Sequence, residues 1–203
     1  MPHQLQRLPL LDFLAIDSPE LLAIITTTAA TTVTITNNAC TSSWRGITIL
    51  QHEINIPDMS PYVQYTYTYV AIATTTRITF AIQEDNGFVA LDDISVQDTA
   101  APSVEILLNG GFEMNSLAYW LYCNPGGATQ AGMVTQNSDY YPYYSYTYIA
   151  HSGNCFYLDG AVGAADYLSQ TFSTVIAHTY TISYWLDNEG SGSSSSIDVL
   201  LSI

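Results

Sequence analysis

Polar and apolar positions alternate with a period of two along most of this chain, the pattern of half-buried strands. Thr32-Val33-Thr34-Ile35-Thr36 and Tyr65-Thr66-Tyr67-Thr68-Tyr69 show it most plainly. Thr79-Phe80-Ala81-Ile82 and the run from Phe88 to Val96 continue it, and further strands are predicted at 104–108, 119–122, 144–149, 155–158, 166–172, 179–186 and 196–201. A helix is expected only near the start, where Ser18-Pro19-Glu20 suits a first turn leading through Leu21 to Ile25. Thr, Tyr, Ile and Val, which fill the alternating runs, fit a pleated sheet better than a helix. The expected fold class is therefore all-β.

The polar stretch 99–103, stopped by Pro102, reads as a linker between two halves. The halves share a pattern. Residues 26–36 slide onto 173–183 with Thr27, Ala30, Thr32, Thr34 and Ile35 over Thr174, Ala177, Thr179, Thr181 and Ile182, and 46–50 then falls on 197–201. On this reading 26–98 holds the later strands of one β-sandwich repeat and 104–203 the earlier strands of a second, with 1–25 unassigned. Two arrangements are open: a piece of a longer repeat protein, or two halves whose strands complete one sandwich.

Charge narrows the partners. Eighteen acidic side chains against three basic ones give a net charge of −15, with no lysine. Nucleic acid is excluded, because a phosphate backbone needs clustered Lys or Arg and Arg7, Arg45 and Arg77 are scattered. Anionic membrane surfaces and phosphorylated substrates are disfavoured by the same field. No run reaches the roughly 18 apolar residues of a membrane span, and Asp12, Asp17 and Glu20 make the first twenty residues a poor secretory leader.

Candidate chemistry is aromatic rather than catalytic. Within the run from Tyr140 to Tyr148, alternation puts Tyr144, Tyr146 and Tyr148 on one strand face. Tyr140, Tyr141 and Tyr143 are then left to project from a loop, where their rings would stack on the C–H face of a sugar, with Asn124 bonding its hydroxyls. Trp120 and Trp185 are expected in the core. Cys123 and Cys155 flank the tyrosine loop, each beside a predicted strand, and their disulfide would close about 32 residues for roughly 3–4 kcal/mol. Such a bond suits an extracellular protein, and Cys40 is left over. The chain reads as no enzyme: His3, His52, His151 and His178 have no metal-ligand spacing, Ser152-Gly153 is no nucleophile elbow, and Asp159 with Asp166 reads as surface acids near turns.

Three segments resemble a known family. Leu107-Leu108-Asn109-Gly110-Gly111-Phe112-Glu113, followed by Trp120, is similar to the opening of the galactose-binding-like jelly rolls found among carbohydrate-binding modules. Leu91-Asp92-Asp93-Ile94-Ser95-Val96 resembles their last strand, and Ser169-Gln170-Thr171-Phe172 with Thr179 to Trp185 resembles a middle strand and its approach. The resemblance implies a jelly-roll β-sandwich and a non-catalytic, extracellular, carbohydrate-binding role with a glycan or a cell-surface or matrix component as partner. It also implies a structural Ca²⁺ held by Glu113 with Asp92 or Asp93. A structural or adhesion repeat without a small ligand is the competing expectation, and the open edges of an incomplete sheet would permit a domain-swapped dimer.

Overall fold

The computed structural model describes residues 37–139, 141–143, 146–190 and 194–203. The helix expected at 18–25, the strand expected at 32–36 and the repeated segment 26–36 lie outside them. Among the described residues the chain is an all-β sandwich. Its strands are β1 (Thr48–Ile54), β2 (Met59–Val70), β3 (Thr75–Glu84), β4 (Phe88–Asp98), β5 (Leu121–Cys123), β6 (Met133–Gln136), β7 (Tyr141–Tyr143), β8 (Tyr146–Tyr148), β9 (Cys155–Asp159), β10 (Asp166–Ser173), β11 (Thr179–Glu189) and β12 (Ser195–Ser202).

Two antiparallel five-stranded sheets pack face to face, the first in the order β1-β12-β3-β10-β5 and the second in the order β2-β11-β4-β9-β6. Alternation dictates the core. In β11, Tyr180, Ile182, Tyr184 and Leu186 are buried while Thr179, Thr181, Ser183 and Trp185 are less so. The inward rows of both sheets meet in one cluster that includes Phe80, Leu91, Phe112, Trp120, Tyr157, Leu168, Tyr184 and Val199. Tyr65 and Tyr67 of β2 stack on Tyr184 at 5.5 and 6.1 Å between ring centres, so the Tyr-Thr alternation is a ladder of rings against the core.

The halves on either side of 99–103 are interleaved. β3 lies between β12 and β10, and β11 between β2 and β4, so the first four strands of each sheet alternate between the halves, and the fifth, β5 or β6, is a second neighbouring strand from 104–203. The segment around Thr99 is a turn within the sandwich, with Thr99 N donating to Thr179 O at 2.9 Å. The two segments that look like repeats of each other, 46–50 and 197–201, sit side by side: Thr48 faces Leu201 and Ile49 faces Leu200 across the β1–β12 ladder.

One predicted strand is absent. Residues 104–108 follow the end of β4 irregularly, with Ile106 N on Val96 O at 3.0 Å and a lone bridge from Glu105 to Gln97. The buried Gln170 amide takes the place of a strand partner, accepting from Leu108 N and donating to Leu108 O, both at 2.9 Å. Phe112 then plugs the core, stacked 5.7 Å from Tyr157. Gly110 permits this approach, since a Cβ there would fall 2.0 Å from Ile94 O.

Candidate functional site

The two outer faces of the sandwich differ. On the second sheet, Ala90, Phe156 and Leu158 are roofed by Tyr146 and Tyr148 of the β7–β8 hairpin, with Tyr62 and Phe88 beside them. Tyr148 is fully buried, and its hydroxyl donates to Phe88 O at 2.7 Å or Glu189 O at 2.9 Å while accepting from Glu189 N. Tyr146 donates to Asp187. Tyr146 and Tyr148 share one face, as alternation predicts, and that face points inward; Tyr144 lies outside the described residues. Tyr140 and the side chains of Tyr141 and Tyr143 lie outside the described residues. Asn124 is engaged within its own turn, its amide bonding Ala128 N and O at 2.8 and 2.9 Å.

Among the described residues, the outer face of the first sheet has no such hairpin roof. A groove of about 420 Å³ runs over β12, β3 and β10, floored by Ala81, Tyr167 and Leu200 and edged by Asn38, Gln83 and Asp198. Tyr167 divides it from a second hollow of about 290 Å³ lined by Trp44, Arg77, Tyr122 and Ser169. Trp44 stands edge-on to Tyr167 at 6.1 Å, and the Arg77 guanidinium lies 5.9 Å from the Trp44 ring centre, a cation–π contact that fixes the indole. Asn38 Nδ2 donates to Tyr167 Oη at 2.9 Å, while Asn38 Oδ1 accepts from Cys40 N at 2.8 Å. This Asx turn sets the rim.

A disulfide pins that rim. Cys40 pairs with Cys123, with Cα atoms 6.0 Å apart. The expected Cys123–Cys155 bond is thereby corrected, and the reason is topological. Cys123 ends the edge strand β5 of the first sheet, whereas Cys155 points into the core from β9 of the second and is a buried free thiol. Trp185 also departs from expectation. It lies on the outer face of the second sheet, stacked 3.8 Å from His151, because it alternates with the buried Tyr184 and Leu186. Trp120 is in the core, its Nε1 donating to Asn109 O at 3.0 Å.

Glu113, Asp92 and Asp93 do converge, on the loop 151–155. Asp92 Oδ2 accepts from His151 N at 2.8 Å and Ser152 N at 3.2 Å, and Oδ1 from Asp93 N at 2.7 Å. Asp93 bonds His151 Nδ1 and Ser152 Oγ at 2.7 and 2.8 Å, while Glu113 Oε1 accepts from Asn154 N and Cys155 N, both at 2.8 Å. These oxygens face N–H and O–H donors, so the loop is tied by hydrogen bonds. Among the described residues no three His, Cys, Asp or Glu side chains form a metal-holding group. Burial and the neighbouring Asp93 charge push the Asp92 carboxyl up to about 7.

The chain matches no protein-family model, no curated protein and no solved structure. Function must be read from its own geometry.

Asp159 and Asp166 are not surface acids. Both are buried, with Tyr157 Oη donating to Asp159 at 3.1 Å and Tyr122 Oη to Asp166 at 2.7 Å. Burial and the adjoining Asp166 carboxylate keep Asp159 protonated well above the usual carboxylate range. Gly132 is pressed against this pair, where a Cβ would lie 1.8 Å from Tyr157 Oη.

The alternating pattern hid Asn38 and Tyr167 of the groove and Trp44 and Arg77 of the second hollow. The signal pointing toward them is Cys40, the cysteine left over by the expected pairing, in the turn-rich run Asn37-Asn38-Ala39-Cys40-Thr41-Ser42-Ser43, four residues before a tryptophan.

Proposed function

We propose that this protein is a non-catalytic carbohydrate-binding module acting outside the cell, and that it takes a neutral glycan on the open face of the first sheet. The observation that carries this reading is a pair of adjoining hollows that share Tyr167: one holds a half-buried indole beside Arg77 on a disulfide-pinned turn, and the other is edged by the amide and carboxylate groups of Asn38, Gln83 and Asp198. A pyranose presents an apolar C–H face and a rim of hydroxyls. An aromatic ring flanked by fixed acceptors and donors matches both, and pre-setting those groups reduces the ordering cost of binding. The net charge of −15 favours an uncharged ligand over an anionic one. The Cys40–Cys123 bond supports an oxidising compartment.

Affinity electrophoresis in gels containing a panel of neutral polysaccharides tests the reading. Retardation of the wild-type protein is expected, with loss in Trp44→Ala at unchanged far-ultraviolet dichroism. Retardation that survives Trp44→Ala and disappears in Tyr141→Ala or Tyr143→Ala would return the site to the tyrosine loop.

A further inference from the structure

At one end of the sandwich the inward rows finish in polar side chains. In β3 the sequence Ile78, Phe80, Ile82 ends in Glu84, and in β11 the sequence Ile182, Tyr184, Leu186 ends in Asn188. In β12, Ile197 is preceded by Ser195, which faces Glu84 across the ladder. Asn188 faces Val89 just after the turn that joins β3 to β4, so these groups crowd the same end of the core.

The loop 55–58 closes over them. Ile56 N donates to Ser195 Oγ at 2.7 Å, Asn188 Nδ2 to Pro57 O at 2.9 Å, and Gly190 N to Asp58 Oδ1 at 3.0 Å. Glu84 Oε1 accepts from Asn86 N at 2.9 Å. Two oxygens remain. Glu84 Oε2 and Asn188 Oδ1 belong to side chains with 0% exposure and have no hydrogen-bond donor. Both are acceptors, and leaving each bare costs about 1–3 kcal/mol. Asp58 acts on Glu84 through its charge, which adds a carboxylate on the exposed side of the pair. The chain has no lysine to answer this group, and Arg77 is committed to Trp44.

We propose that Glu84 Oε2, Asn188 Oδ1 and the Asp58 carboxylate bind a calcium-like divalent cation that ties the loop 55–58 to β3 and β11. The donors are all hard oxygens, a mixed set of carboxylate and amide that suits Ca²⁺, with solvent and backbone carbonyls completing six or more ligands. The site differs from the one implied by resemblance, where both oxygens of Asp92, both of Asp93 and Glu113 Oε1 already bond groups of the protein. Binding to the folded chain alone stabilises it by mass action. A competing arrangement, in which a protonated Glu84 donates to Asn188 Oδ1, satisfies both oxygens with no ion.

Terbium luminescence, with displacement by Ca²⁺, and thermal melts in about 1 mM Ca²⁺ or in chelator separate the two. The expected result is a melting temperature several degrees higher with Ca²⁺, lost in Glu84→Gln and retained in Glu113→Gln. If Glu84→Gln fails to fold, Asp58→Asn at the exposed mouth decides, with affinity expected to fall about tenfold. A wild-type protein indifferent to terbium and Ca²⁺ overturns the proposal, as does a response that survives in Glu84→Gln or Asp58→Asn and vanishes in Glu113→Gln.

Discussion

On the second sheet, Tyr146 and Tyr148 cover Ala90, Phe156 and Leu158, and their hydroxyls are spent on Asp187, Phe88 O and Glu189. On the first sheet the turn carrying Asn38 to Trp44 reaches only part of the outer face and leaves a groove of about 420 Å³ beside Tyr167. Both faces are built from alternating strands rich in aromatic residues. What separates them is the roof: a strand-paired hairpin in one case, a disulfide-tethered turn in the other. An aromatic residue in a strand thus says little about ligand binding until the chain segment above it is known.

The largest way to break this contrast is to cut the tether. Cys40→Ser, in reducing-agent-free buffer, removes a cross-link spanning 83 residues and is expected to lower stability by about 4 kcal/mol in the chain-entropy picture, read by urea unfolding. It should also abolish glycan binding, whereas Cys155→Ser should leave binding unchanged. An equally stable Cys40→Ser protein would mean that the turn is held by its hydrogen bonds alone.

Proton uptake tests the buried acids beneath both faces. Burial pushes Glu84 and Asp92 up to about 7 and Asp187 up to about 6, from ordinary values of 4.5 and 3.8. The folded chain therefore holds more protons than the unfolded chain between these limits, and stability falls as pH rises through that window. Each tenfold difference in proton affinity corresponds to ~1.4 kcal/mol. Chelated protein is expected to melt several degrees higher at pH 5 than at pH 8, and the reverse order would contradict the assignment.

Tyr148→Phe should weaken the roof by about 1–2 kcal/mol, because two carbonyls and one N–H lose a common partner. Hydrogen exchange should quicken at 146–150 and remain unchanged at 38–45. The smallest effect is expected from Tyr167→Phe, which removes the Asn38 bond. It should cost about 1 kcal/mol or less in stability but lower glycan affinity measurably by loosening the rim.

Much of the fold was legible. Strands expected at 88–96, 166–172, 179–186 and 196–201 fall inside β4, β10, β11 and β12, because period-two burial is local and strong there. The short strands β5, β6 and β7 lack enough residues to show a period. The segment 104–108 reads as a strand by pattern, yet the side chain of Gln170 replaces its ladder partner, a substitution that only packing reveals. Burial of Asp159 and Asp166 escaped notice for a similar reason: a charge near a turn looks solvated until Tyr122, Tyr157 and Gly132 close around it. The site was the least legible part. Trp44 and Tyr167 are far apart in sequence and meet where the turn carrying Cys40 is bonded to Cys123 and to Tyr167.

The central claim is that the open face of the first sheet binds the glycan. Titration of a retained oligosaccharide against wild type, Trp44→Ala and Tyr141→Ala tests it most directly. The expected result is affinity lost in Trp44→Ala and kept in Tyr141→Ala, with intrinsic tryptophan fluorescence shifting on binding in both the wild type and Tyr141→Ala. Unchanged affinity in a folded Trp44→Ala protein would contradict the account.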